Sequence, residues 1–246
     1  MPAAMPDSAA SAPDPALPDD LVVAVDGPSG SGKSSAAQGV ARCLGLRYLD
    51  TGATYRALTW WVLEHGIDPA DVRAVGAAGH EAVITVGTDP DMPSVLVDGH
   101  DVTRAIRGPE VTTAVSPVSA VPQVRTQLVA LQRRLIGDGG IVVEGRDIGT
   151  VVAPRAVAKI FLTASPAARA QRRAAELKAS TLGAGVSTDA TLRDLERRDR
   201  YDSSRATAPL LRAEDAVEID ASNLSLDQVI DQIVDLVRSR VGQSRP

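Results

Sequence analysis

Cysteine occurs once in the 246 residues, at Cys43, so no disulfide can form within the chain. That suits a reducing compartment, and the cytoplasm is the expected location. Cys43 itself is expected as a small core residue on a helix. Aromatic side chains make up 2% of the sequence, too few for a platform on which unpaired bases could stack. An excess of positive charge is missing as well. The formal net charge is −5, which argues against a protein dedicated to nucleic acid. No stretch is long and apolar enough to span a membrane. His65, His80 and His100 have no metal-ligand spacing, so no metal site built from protein ligands alone is expected. Residues 1–20 lack both a basic start and a long apolar run, so they do not read as a secretory signal. Rich in Ala, Pro, Asp and Ser, they are expected to form a disordered tail. The remainder, 21–246, is expected to be one α/β domain, since 44% hydrophobic content is ordinary for a globular protein.

What the sequence does contain is a phosphate-binding signature. Gly27-Pro28-Ser29-Gly30-Ser31-Gly32-Lys33-Ser34 fits G-x-x-x-x-G-K-[ST]. The apolar run Leu21 to Val25 before it reads as a buried strand, and Ser34 to Leu44 after it as a helix. The glycines let successive backbone N–H groups point inward at phosphate oxygens, and the helix start adds its positive end. Lys33 is expected to reach the β- and γ-phosphates, and Ser34 to offer its hydroxyl to Mg²⁺ arriving with the nucleotide. The nucleotide-phosphate site is thus expected at Gly27 through Ser34 together with Ser35.

Further along, short apolar runs alternate with helical patterns. Leu46 to Leu49, Ile141 to Val143, Lys159 to Leu162 and Val217 to Ile219 read as strands. Helices are expected over about Ala53 to His65, Val121 to Ile136, Pro166 to Ala179, Ala190 to Tyr201 and Ser225 to Val241. Ser225 and Gln228 form a capping box. The alternation predicts a central parallel sheet of about five strands with helices on both faces, a three-layer arrangement. Between about 67 and 122 the texture changes. Val83 to Val86 and Val95 to Val97, with turn signals at Asp89-Pro90-Asp91 and Asp98-Gly99, predict a small antiparallel β insert. Trp60 and Trp61 cannot both face one way, so one is expected against another subdomain. Thr181 to Thr188 reads as a Gly/Ser/Thr loop.

The loop alone fits switch GTPases, motor ATPases and small-molecule kinases. No D-x-x-G or N-K-x-D motif follows it, which disfavours the GTPases. Three more motifs stand in order: Asp50-Thr51-Gly52-Ala53-Thr54-Tyr55-Arg56, Glu144-Gly145-Arg146-Asp147-Ile148-Gly149-Thr150, and Arg198-Asp199-Arg200-Tyr201-Asp202-Ser203-Ser204-Arg205-Ala206. With the loop they closely resemble the bacterial cytidylate kinases, of the nucleoside monophosphate kinase group. The resemblance runs from about Leu21 to Val241 and takes in Val102-Thr103 and Ile106-Arg107 of the insert. Departures are mild: Thr51 keeps a hydroxyl where Ser is common, and Glu144 stands where Asp is frequent. Ser34-Ser35 replaces a frequent Gly-Thr or Ser-Thr pair, and Pro117 follows Ser116 directly.

The resemblance implies a CMP-binding subdomain over 67–122, a mobile helical lid over 165–205, and transfer of the ATP γ-phosphoryl group to CMP or dCMP. A uridylate or shikimate kinase is the alternative, since selectivity among such enzymes lies in small pocket differences. Positioning and charge neutralisation do the work in such a reaction, which calls for arginines that grip phosphate and stay protonated. Arg56, Arg146 and Arg205 are implied to hold the CMP phosphate. Ser116, Arg125 and Asp147, with Thr51 nearby, are implied for the base. Arg198 and Asp202 are implied for the ribose. Lys33, Arg146, Arg169, Arg198 and Arg205 are the implied catalytic set. Arg169 and Arg198 belong to a cluster near the lid with Arg172, Arg173 and Arg197, of which some are expected to reach the transferring phosphoryl group and others to lie on solvated helix face. Glu144 is left with two roles, holding a Mg²⁺-bound water or pairing with an arginine. The expected partners are ATP and CMP or dCMP, with no nucleic acid or membrane, and the expected state is a monomer.

Overall fold

The computed structural model describes residues 17–179, 188–205 and 207–243. Residues 1–16 of the expected tail and 181–187 of the expected loop lie outside the described residues, as do 180, 206 and 244–246. Residues 17–20, from the end of that tail, join the domain: Leu17 packs against a core cluster and the Pro18 carbonyl accepts from the Leu21 N–H at 3.1 Å.

Strand β1 (Val22–Asp26) leads through the glycine-rich loop into α1 (Lys33–Leu44), and β2 (Arg47–Asp50) runs directly into α2 (Thr51–Glu64). Then come α3 (Val72–Glu81), three short strands β3 (Ile84–Val86), β4 (Val95–Val97) and β5 (His100–Asp101), and helices α4 (Pro109–Ala120) and α5 (Pro122–Ile136). The chain returns to the centre with β6 (Ile141–Gly145), a π-helical turn (Ile148–Val152), β7 (Ala158–Thr163), α6 (Pro166–Ala179), α7 (Thr188–Ser204), β8 (Val217–Asp220) and α8 (Leu226–Gln243).

The central sheet has the order β2-β6-β1-β7-β8, and every pair in it is parallel. β6 is buried along its whole length, which is why Ile141 to Val143 read as an unbroken apolar run. On one face, Ala36, Ala37, Val40 and Ala41 of α1 pack with Val229, Ile233 and Val237 of α8. On the other, Leu58, Trp61 and Val62 of α2 pack with Val124 and Leu128 of α5 and with Val95 and Val97 of the insert. The insert is a separate antiparallel sheet, β3-β4-β5. Trp61 is the tryptophan turned toward it: its indole N–H donates to Asp98 Oδ2 at 2.7 Å. The capping box at α8 is present, with Ser225 N–H donating to Gln228 Oε1 at 2.9 Å and Gln228 N–H to Ser225 Oγ at 3.2 Å.

Three expectations need correction. Cys43 is exposed, not a core residue, because the buried stripe of α1 is set by Ala36, Ala37, Val40 and Ala41 and Cys43 falls outside it. Helix α2 starts at Thr51, two residues early, because Asp50 caps it by accepting from the Ala53 N–H at 3.0 Å. Helices α3 and α4 were not foreseen. The first carries Gly76 and Gly79, and the second is rich in Val and Thr with Pro117 inside it. Both have poor intrinsic helix propensity, and both form because Val75, Ala78, Val115 and Val118 are buried in the larger core.

Candidate active site

The parallel sheet presents the carboxyl ends of β1 and β6 side by side, with Asp26 opposite Gly145. β1 is flanked by β6 on one side and β7 on the other, so the loops from neighbouring strand ends part here and leave a crevice, the usual ligand position in an open α/β sheet. A cleft of about 810 Å³ occupies it. Nine basic and four acidic side chains line the cleft, a cationic site in a chain of net charge −5.

The glycine-rich loop forms one wall. Gly27 passes so close to β7 that a Cβ there would stand 2.2 Å from the Leu162 carbonyl oxygen. Gly32 precedes α1 at φ 92°, with no side-chain cap and no acidic residue in the first turn of the helix. The first N–H groups of α1 thus have no capping side chain, as an anion site needs. Lys33 Nζ donates to the Pro28 carbonyl at 3.2 Å and lies 4.0 Å from Glu144 Oε2. Ser34 Oγ donates to Glu144 Oε1 at 2.6 Å. Of the two roles left open for Glu144, arginine pairing is not what the structure shows: its partners are Lys33, Ser34 and, at 3.4 Å, the Tyr48 hydroxyl. Burial, and then Arg146, lower the Lys33 ammonium to about 8. Burial, and then Asp50, raise the Glu144 carboxyl.

The opposite wall holds arginines gripped by carboxylates. Arg56 donates to Asp50 Oδ2 at 2.6 Å, and Arg107 reaches the same oxygen at 3.3 Å. Burial alone would raise Asp50, but Arg56 and Arg107 hold it below the usual carboxylate range. Arg146 Nε donates to Asp202 Oδ2 at 2.8 Å, and Arg205 Nη1 lies 3.8 Å from Asp202 Oδ1. Arg125 forms a buried ion pair with Asp147, donates to the Ser119 carbonyl at 3.3 Å, and lies over the Tyr55 ring at 5.4 Å. Arg198 is crowded: burial, and then Arg146, lower it to about 10. Within this wall, Arg56 Nε, Arg125 Nε, Arg205 Nη2 and the Tyr55 hydroxyl are buried with no hydrogen-bond partner in the protein.

Ser29, Gly30, Gly32, Lys33, Ser34, Ser35, Thr51, Arg56, Ser116, Arg125, Arg146, Asp147, Arg198, Asp202 and Arg205 all line this one cleft. Gly27, Pro28, Ser31 and Arg169 do not. Gly27 and Pro28 shape the loop from behind, and Ser31 is fully buried in it. Arg169 uses its guanidinium on the Ser29 carbonyl, at 3.0 Å, and on an ion pair with Asp199 of α7. Its place is beneath the loop, tying α6 and α7 to it. The lid cluster divides in the same way: Arg173 lines the cleft, Arg172 binds the Ser31 carbonyl at 3.1 Å, and Arg197 pairs with Asp194 at 2.6 Å. Sequence reasoning missed Asp50, Arg104 and Arg107 as site residues. Asp50 carried a signal, since it opens the Asp50 to Arg56 motif. Among the described residues no group of three or more His, Cys, Asp or Glu could hold a metal ion, and no helix is long and apolar enough to cross a membrane.

Comparison with known proteins agrees with the geometry. The sequence model of the cytidylate kinase family matches residues 23–239. The cytidylate kinase of Streptomyces avermitilis is 54% identical over 222 residues, covering 89% of this chain and 94% of its own. That of Mycolicibacterium paratuberculosis is 53% identical, covering 92% and 99%. That of Rhodococcus opacus is 55% identical, covering 91% and 98%. Among solved structures, an uncharacterized protein from Eubacterium ventriosum covers 89% of this chain and 99% of its own at TM-score 0.50 and 12% identity, a likeness of fold alone.

Proposed function

The chain belongs to the cytidylate kinase family, and from that premise we propose that its cleft transfers the γ-phosphoryl group of ATP to CMP, and also to dCMP, giving CDP or dCDP and ADP. The observation that carries this is the facing of two walls across one cleft. The glycine-rich loop with Lys33 and Ser34 stands on one side, and carboxylate-anchored arginines stand on the other.

ATP fits the loop wall, where free N–H groups and Lys33 meet its β- and γ-phosphates. Arg56, Arg146 and Arg205 grip the acceptor phosphate, whose oxygen attacks the γ-phosphorus as the bond to the β–γ bridging oxygen breaks. That oxygen already carries charge, so no strong base is needed, and Lys33, Arg146 and Arg198 act by neutralising charge and holding the groups in line. Asp147 keeps one carboxylate oxygen on Arg125. Its other oxygen accepts from the cytosine amino group, while Ser116, Arg125 and Thr51 complete the base pocket. Asp202 and Arg198 address the ribose. The Ser34 hydroxyl and the Glu144 carboxylate are hard oxygen donors 2.6 Å apart beside Lys33; Ser34 would hold Mg²⁺ brought by the nucleotide, and Glu144 would accept from water bound to it. When bound, Mg²⁺ supplies charge neutralisation to the β- and γ-phosphates. The protein acts as a monomer in the cytoplasm, with ATP and CMP or dCMP as its partners.

The test is a label experiment. With γ-labelled ATP and CMP the label should appear in CDP, and Lys33→Ala should abolish transfer while leaving the circular dichroism spectrum unchanged. A Lys33→Ala variant with near-normal kcat would mean that the loop is not the donor site.

A further inference from the structure

Asp26 is the last residue of β1 and the one directly before Gly27. Its carboxylate is buried, with 4% of the residue exposed, and it is not part of the cleft wall. Its two oxygens accept from two successive backbone N–H groups, Ile148 to Oδ1 at 2.7 Å and Gly149 to Oδ2 at 2.8 Å. Those are the first two residues of the π-helical turn that follows Arg146-Asp147, and the turn has no side-chain cap of its own. Asp26 therefore does for the turn what a capping residue does for a helix, but from a neighbouring strand. Behind it, Val151 and Val152 both donate to the Asp147 carbonyl, at 2.8 and 3.1 Å, so the turn and Asp147 move as a unit. The fit is close: a Cβ on Gly149 would stand 3.4 Å from Asp26 Oδ2 and 3.2 Å from the Lys159 side chain.

We propose that Asp26 is a positioning residue, fixing the Arg146–Asp147 segment against the phosphate-binding loop and so setting affinity and selectivity for the nucleotide acceptor without touching it. The inference rests on reading the cleft as a cytidylate kinase site. A neutral amide cannot take the place of Asp26, because two donors need two acceptor oxygens and an Asn offers one. Burial raises Asp26 to about 6 even though two N–H bonds favour its ionised form, so the carboxylate is retained at this position against its own desolvation. Asp147 and Arg146, both in the segment it holds, act on its charge, and Lys159 of β7, paired with Asp215 at 2.8 Å, packs against the same turn.

The experiment compares wild type with Asp26→Asn, using CMP and UMP at saturating ATP, and ATP at saturating CMP. In the variant the KM for CMP should rise about tenfold and the CMP-to-UMP ratio of kcat/KM should fall at least about fivefold, while the KM for ATP stays within about twofold. Equal losses for CMP and UMP, or an ATP KM that moves as far as that for CMP, would overturn the inference, because a general loosening of the strand end would act on both loops. A wild type that leaves CMP unphosphorylated would overturn the reading of the cleft and this inference with it. An active wild type with an unmoved ratio in the variant would overturn the inference alone. Should the variant fail to fold, the wild type carries a second readout. The Ile148 and Gly149 amide resonances should shift together with the Asp26 carboxyl carbon, at a midpoint near the raised value of about 6. Amides that ignore that titration would overturn it.

Discussion

The Asp147 carboxylate is held on one side by Arg125 in a buried pair. An ionised carboxylate only accepts, and the cytosine amino group only donates; uracil places an acceptor at that position, which the carboxylate repels. Asp147→Asn keeps the shape but removes the charge. A charge-assisted hydrogen bond contributes about 1.5–3 kcal/mol, so kcat/KM for CMP should fall by about one to two powers of ten. UMP should lose less, because the amide can turn its donor toward the carbonyl. Steady-state kinetics with both acceptors checks this, and an unchanged CMP-to-UMP ratio would show that Asp147 only orients Arg125. Lys33 gives a pH test. Burial, and then Arg146, hold it near 8 in the free protein, and a bound polyphosphate restores its proton. Nucleotide binding should therefore take up a proton near pH 8, and ATP affinity should weaken above that pH by up to about tenfold per unit. Calorimetry in buffers of different ionisation enthalpy measures the uptake, and pH-independent binding between 7 and 9.5 would contradict it. For stability the sign is opposite. The folded value lies below the unfolded 10.5, so the buried cation costs stability below about pH 8, and that cost fades as pH rises toward 10.5.

Among the elements, α8 and α1 close one face of the sheet through a core whose side chains do not line the cleft. Ile233 of α8 is fully buried there. Ile233→Ala should lower unfolding free energy by about 2–5 kcal/mol, seen in denaturant melts, with kcat at 25 °C unchanged. A loss of kcat in the fully folded variant would mean that this layer also shapes the cleft. Element by element, legibility in the sequence followed locality. The glycine-rich loop was readable because its eight residues are contiguous and each has a local reason to be there. The strands β1 and β6 were readable because burial on both faces leaves a run of apolar residues, and β7 because its buried residues alternate along an apolar stretch. Helix α4 was not, since Val, Thr and Pro117 argue against a helix locally and only packing against α2 and α5 makes one. Asp50 was underread for the same reason at smaller scale. One of its partners is six residues away and the other fifty-seven, and only the fold brings Arg56 and Arg107 to one oxygen. The lid arginines looked alike in sequence. Which of them face the cleft and which support the loop depends on how α6 and α7 lie against it.

As a whole the molecule carries net negative charge but sets nine basic side chains around one cleft, between the glycine-rich loop and the arginine wall opposite it. Such a site favours polyanions and would hold many of them, so charge alone does not name the acceptor. In the proposed reading the choice falls to Ser116, Arg125 and Asp147, which come from α4, α5 and the segment after β6 and which only the fold brings together in one cleft. The central claim is therefore one of acceptor choice, and a single panel tests it: initial rates with saturating ATP-Mg²⁺ and CMP, dCMP, UMP, AMP, GMP or shikimate as acceptor, each reported as kcat/KM. CMP and dCMP should lead, with UMP at least about tenfold behind, as one charged hydrogen bond of difference requires. Phosphorylation of shikimate or AMP as the best acceptor, with CMP inert, would contradict the account.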